Sequence, residues 1–216
     1  SSQEEDLMSY LKQQKEAGVF GSIIVLVNSE QAMELGWLDE YDVDACLVVG
    51  RPGAVGYTGI VNVLTGAANP SGRLVDTYAS NSLSAPATVF AGENTQTWAN
   101  LDWVENNDVD FGTDGSENNW IVYAEGIYVG YKYYETRYED TVLKAGNADS
   151  TKGSSTGNAW NYADEVSFTF GDGLSYTTFE QKLDQVKYNA ETDSYEAEVT
   201  VTNTGDVAGR DVVEFY

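Results

Sequence analysis

The sequence predicts an α/β fold in which helices cover a mostly parallel sheet and a shorter run of antiparallel strands follows. Three observations predict it. Ile23-Ile24-Val25-Leu26-Val27 and Ala45-Cys46-Leu47-Val48-Val49 are unbroken apolar runs, the texture of strands covered on both faces. A glycine-rich turn, residues 50–56, leads from the second run into an apolar helical stretch. Near the other end, Tyr195-Glu196-Ala197-Glu198-Val199-Thr200-Val201-Thr202 alternates strictly, which marks a strand with one wet and one buried face.

The elements follow in order. Residues 3–17 carry Leu7, Met8, Tyr10 and Leu11 among Glu, Lys and Gln and read as a helix stopped by Gly18. Residues 30–38 read as a helical crossover, so that 22–50 form a βαβ unit. The glycine turn is spaced GxxGxxG. Phosphate-binding loops need GxGxxG or a terminal GK[ST], so the spacing favours a tight strand-to-helix turn over a cofactor cradle. An apolar helix then runs over 57–64 and closes at Gly66. Two long insertions follow, at about 94–119 and 139–164. The first interleaves Asp102, Glu105, Asp108, Asp110, Asp114 and Glu117 with asparagines. Counted from Asp110, the third calcium-loop position is Gly112 and the twelfth is Ile121, so a solvated acidic loop fits better than an EF-hand. The second is rich in Gly, Ser, Asn and Thr, and weak order is expected there. Asn203-Thr204-Gly205-Asp206 is a turn and 211–216 begins another strand, giving about three antiparallel strands over 183–216. That is fewer than the roughly seven of an immunoglobulin-like sandwich, and the expectation is a piece of a larger enzyme.

Composition excludes whole classes of function. Among 216 residues, 11 are Lys or Arg, 35 are Asp or Glu and none is His, for a formal charge of −24. So acidic a chain repels nucleic acid and anionic membrane surfaces. Without histidine there is no Ser-His-Asp or Cys-His pair and no imidazole metal ligand. Any chemistry falls to carboxylates, hydroxyls, Tyr, Lys or Cys46. The single cysteine sits in an apolar run and reads as a small buried hydrophobe, with no disulfide in the design. No stretch approaches the roughly 20 apolar residues of a membrane span, and the acidic start has no signal-peptide character. Fifteen Tyr and five Trp against seven Phe suit wet interfaces and carbohydrate surfaces, or a polar-rimmed core.

Four motifs occur in order: Asn69-Pro70-Ser71-Gly72-Arg73-Leu74; Tyr123-Ala124-Glu125-Gly126-Ile127-Tyr128-Val129-Gly130-Tyr131-Lys132-Tyr133-Tyr134; Phe170-Gly171-Asp172-Gly173-Leu174-Ser175-Tyr176-Thr177-Thr178-Phe179; and Val201-Thr202-Asn203-Thr204-Gly205 with Gly209 and Val212. Together they resemble the carboxyl-terminal part of glycoside hydrolase family three, the β-glucosidases and β-xylosidases. Ala32-Met33-Glu34-Leu35-Gly36-Trp37 and Val75-Asp76-Thr77-Tyr78 look like a bacterial subgroup in which the sandwich domain precedes the barrel. The resemblance implies a three-layer α/β/α sandwich with a mostly parallel sheet over residues 1–180. Residues 181–216 would then begin a truncated immunoglobulin-like, fibronectin-type-III β-sandwich.

For chemistry, the resemblance implies a retaining glycosidase acting on terminal non-reducing β-D-glucosyl residues, with two carboxylates about 5 to 5.5 Å apart. The nucleophilic Asp belongs to a barrel that no residue here matches. The family's acid/base Glu sits in a GEG-type loop ahead of the first helix, whereas Gly92-Glu93-Asn94 lies after the 69–74 motif, in the wrong part of the order. No catalytic residue is therefore expected in this chain, and neither a cofactor nor a metal. The implied partners are the barrel of the same enzyme and a β-glucoside or oligosaccharide, with no nucleic acid and no membrane; the expected compartment is cytoplasmic rather than secreted, in a bacterium.

The matching motifs also have a structural reading of their own. The 69–72 tetrad has turn chemistry, and Arg73 is placed to bridge it to an acidic neighbour. Glu125 reads as a buried carboxylate paired to Arg73 or Arg137. Gly171 and Gly173 suit a sharp passage between domains, packed by Tyr176 and Phe179. Trp98, Trp103 and Trp120 flank a polar loop, where they either stack on an outer sugar or pack ordinarily. Three functions remain: a non-catalytic part of a β-glucosidase, a free carbohydrate-binding module, or an acidic sandwich with no ligand. The motif match favours the first.

Overall fold

A computed structural model describes residues 2–86, 125–144, 151 and 153–215. The described chain forms two compact units, one of residues 2–32, 36–76 and 169–215, the other of 33–35, 77–86, 125–144, 151 and 153–168.

The first unit opens with α1 (Ser2–Glu16), with Glu4 and Glu5 in its first turn and Lys15 in its last, a charge order that suits the helix dipole. Its end is tied down by Lys15, which reaches Asp42 at 2.9 Å and Asp44 at 2.8 Å, while Asp44 also accepts from the Ile23 amide. Strands β1 (Ile24–Val27) and β2 (Ala45–Val48) pair in parallel, Ile24 opposite Ala45 and Val27 opposite Val48. The crossover differs from the helix expected over 30–38. Only α2 (Trp37–Glu40) forms. The Ser29 hydroxyl accepts from the Gln31 amide, but residues 32–36 do not continue as a helix. Helix α3 (Gly53–Leu64) starts four residues earlier than expected, absorbing the second half of the glycine turn, and ends at Gly66, whose φ of 75° suits a glycine.

Ile23, Val27, Leu38 and Ile60 are this unit's buried apolar side chains. Continuous apolar runs were expected to be covered on both faces, but Ile24, Leu26 and Val48 remain 47%, 43% and 41% exposed. The sheet has two strands among the described residues, too few to bury what its sequence offers.

The same unit carries the antiparallel hairpin β5 (Phe179–Asn189) and β6 (Ser194–Asn203), with an irregularity between Leu183 and Gln185. The alternation of β6 is present, yet both of its faces lie open. The third strand expected at 211–216 does not form over its described residues. There the Asp211 side chain and the Val212 carbonyl are engaged by Arg73 and Gln181 instead of joining a ladder.

In the second unit β3 (Tyr78–Ala79) pairs antiparallel with β4 (Val166–Phe168). Helices α4 (Tyr131–Thr141) and α5 (Tyr162–Glu165) accompany them, α5 capped by the Asn161 side chain accepting from the Ala163 amide. Leu35, Tyr78, Tyr134 and Trp160 are buried. No described helix is long and apolar enough to cross a membrane.

Candidate functional site

The best-organised polar site in the first unit is built on the 69–73 turn. Asn69 works in two directions: its Oδ1 accepts from the Ser175 hydroxyl and the Tyr176 amide, both at 2.8 Å, and its Nδ2 donates to the Ala208 carbonyl at 3.1 Å. Four residues on, Arg73 Nη1 donates to the Gly173 carbonyl at 2.8 Å and Nη2 to Asp211 Oδ1 at 2.7 Å. Leu74 continues the contact, its amide donating to Asp172 and its carbonyl accepting from Gly171. The Tyr176 hydroxyl reaches back to the Val63 carbonyl at the end of α3.

Asp211 is the hub. Its side chain is 6% exposed, and its second oxygen accepts from Gln181 Nε2 at 2.7 Å. The Gln181 amide and the Arg73 guanidinium hold its carboxyl below the usual carboxylate range. Arg73, Gly171, Phe179, Gln181, Asp211 and Glu214 border a shallow recess of about 450 Å³. A carboxyl held ionised is no general acid, and with Arg73 on one oxygen and Gln181 on the other Asp211 forms a joint between segments.

In the second unit Glu165, Glu34 and Glu135 are likewise committed. Glu165 is completely buried, with Oε1 accepting from the Ser155 amide at 2.7 Å and Oε2 from the Ser84 hydroxyl at 3.2 Å. Glu34 Oε1 takes both the amide and the hydroxyl of Ser82. Arg137 donates to the Tyr133 hydroxyl at 2.6 Å and lies 4.8 Å from the Trp160 ring centre, a cation–π geometry. The Tyr162 hydroxyl donates to Glu135 at 2.6 Å, and burial together with that carboxylate pushes its phenol far up. Glu125 is buried, but it forms no ion pair with Arg73 or Arg137 among the described residues. Its Oε2 has no hydrogen-bond partner there.

Of the residues singled out from sequence, Arg73, Gly171 and Gly173 come together. Glu125 lies in the second unit, and Trp98, Trp103, Trp120, Glu93 and the loop from Asp110 lie outside the described residues. Asp211, Gln181 and the buried Glu165 escaped the sequence reading. Asp211 carried one usable signal, since it follows Gly209-Arg210 in the fourth motif. Among the described residues no three Cys, Asp or Glu side chains are grouped to hold a metal.

Comparison with known proteins supplies the family. Residues 2–131 match the model of the glycosyl hydrolase family 3 C-terminal domain. A β-glucosidase of Ruminococcus albus is 30% identical over 197 residues, covering 91% of this chain and 15% of that protein. β-Glucosidase B of Emericella nidulans is 32% identical over 186 residues, covering 86% of this chain and 17% of that protein. The solved β-glucosidase 3B from Thermotoga neapolitana, in complex with α-D-glucose, gives a TM-score of 0.60 at 27% identity, covering 95% of this chain and 22% of that one. The chain thus spans 15 to 17% of the length of these two curated relatives. It is α/β, as the C-terminal domain is, and it belongs to glycosyl hydrolase family 3.

Proposed function

We propose that this chain is the non-nucleophilic portion of a retaining β-glucosidase that removes terminal non-reducing β-D-glucosyl residues. Residues up to about 180 serve as its α/β sandwich domain, and 181–216 begin a fibronectin-type-III-like domain. The observation that carries the reading is that proteins named β-glucosidase align with nearly the whole chain while the chain accounts for 15 to 17% of them.

The geometry supports the division of labour. Retaining hydrolysis needs a nucleophilic carboxylate and an acid/base carboxylate about 5 to 5.5 Å apart across the sugar. The carboxylates that this fold positions most firmly, Glu34, Asp44, Glu165 and Asp211, are bound instead to amides, hydroxyls, lysine or arginine of their own unit. The half-open apolar faces of β1 and β2 are the kind of surface that a larger parent protein covers. In this reading the barrel supplies the nucleophile and the pocket for the terminal sugar, and Trp98, Trp103 and Trp120 are offered to the outer sugar. The test is hydrolysis of nitrophenyl β-D-glucoside by the polypeptide at its full natural length beside the 216-residue chain. Turnover by the long form and none by the short form supports the reading. Equal turnover by both overturns it.

A further inference from the structure

Glu125 opens a tight turn in which the Tyr128 amide donates to the Glu125 carbonyl at 3.0 Å, and Gly126 supplies the left-handed residue at a φ of 60°. Glu125 is turned inward, 8% exposed, and its Oε2 has no hydrogen-bond partner among the described residues. Ile127, Tyr128 and Val129 face outward just ahead of α4, at 74%, 46% and 52% exposed. A buried carboxylate without a donor is costly, and a cation compensates both its charge and its missing hydrogen bond. This chain is short of cations to offer. No Lys or Arg occurs from residue 74 to residue 131. Arg73 is engaged by Gly173 and Asp211, Arg137 by Tyr133 and the Trp160 ring, and Lys132 and Lys144 are exposed.

We propose that the 125–129 turn is a docking element for the remainder of the parent polypeptide: Glu125 receives an arginine or lysine from outside residues 1–216, and Ile127, Tyr128 and Val129 pack around it. The proposal rests on the reading of the chain as one part of a longer protein, since it makes up 15 to 17% of two curated relatives. Charge selects the occupant. The chain carries −24, so a basic surface is drawn to it. Three outward apolar side chains beside one desolvated carboxylate match the centre of an interface, where a few anchors and one buried charge pair fix the register. The turn lies far from either end of the sequence. In this role Glu125 is a positioning residue, holding its unit against the parent without touching a sugar.

The test uses the polypeptide of full natural length. Its crystal structure should place a Lys ammonium or Arg guanidinium from outside residues 1–216 within about 4 Å of the Glu125 carboxylate, with apolar atoms over Ile127. Replacing that cation by Met, or Glu125→Gln, should each shift the unfolding equilibrium by about tenfold or more, and the double variant by no more than the larger single loss. Ile127→Ser, which keeps Glu125, should lower the thermal midpoint as well, whereas a bare surface residue tolerates such a change. Three results overturn the proposal: a donor from within residues 1–216 on Glu125, Lys152 or a backbone amide among them; additive losses in the double variant; or an Ile127→Ser midpoint equal to that of the wild type. Hydrolysis enters none of these readouts. A full-length protein inactive on nitrophenyl β-D-glucoside would end the functional reading and leave the docking test standing, whereas failure at Glu125 leaves wild-type hydrolysis as it is.

Discussion

The Arg73 guanidinium donates to the Gly173 carbonyl at 2.8 Å across 100 residues of chain. The approach is close enough that a Cβ on Gly173 would lie 2.6 Å from the Gly72 carbonyl oxygen and 3.1 Å from Arg73 Cδ. Gly173→Ala must part the two segments. The expected loss is about 1 to 3 kcal/mol, the range for overpacking a fitted site, read as a lower urea midpoint. An unchanged midpoint would mean that the two backbones are not in contact.

Glu165 is the test of the second unit. Ala in its place removes the acceptor of the Ser155 amide, while the Ser84 hydroxyl keeps its 2.8 Å bond to the Asn81 carbonyl. Glu165→Ala is expected to destabilise by about 1 to 3 kcal/mol, the cost of a buried group left unsatisfied. Ser84→Ala, which leaves the Ser155 contact intact, should cost about 1 kcal/mol. Equal losses in the two variants would contradict the two-donor geometry.

Acid should weaken the joint at Asp211 late. Asp211 is held below its ordinary value of 3.8 by Gln181 and by Arg73. A carboxylate depressed on folding contributes stability above its unfolded-state value and loses it as pH falls through the lower folded-state value. The stability difference between the wild-type chain and Asp211→Asn should therefore stay constant from neutral pH to about pH 5 and shrink progressively below it. A difference that has already closed above pH 5 would remove Asp211 from the role assigned to it.

Burial pushes the Cys46 thiol above its ordinary value of 9.0. The thiolate is the reactive form. Alkylation by iodoacetamide at pH 7 should accordingly run several-fold slower than that of free cysteine and rise with pH beyond 9. A rate equal to that of the free amino acid would mean that β2 is open around residue 46.

What the sequence made legible is what local pattern controls. The strands β1, β2 and β6 and the end of α3 before Gly66 each depend on neighbours a few residues apart, and all four elements are present, while the buried faces expected of the strands are not. The crossover helix was misplaced: only Trp37–Glu40 is helical, a single turn at the end of the span expected. The strand expected at 211–216 was lost to partners far away in sequence, Arg73 and Gln181. The full burial of Glu165 was equally hidden, because its donors lie 81 and 10 residues away and an isolated carboxylate in sequence reads as surface. The 69–74 and 170–179 motifs were legible as family marks. Their joining through Arg73 appears only in the structure.

The central claim, that the nucleophile lies outside this chain, is tested most directly with a fluorinated glucoside that traps the covalent intermediate of retaining hydrolysis. The 216-residue chain and the polypeptide of full natural length are each incubated with it, and their masses are recorded. The account predicts one sugar adduct on the long polypeptide, carried by a peptide outside these residues, and no adduct on the short chain. A stoichiometric adduct on a carboxylate within residues 1–216 would contradict it.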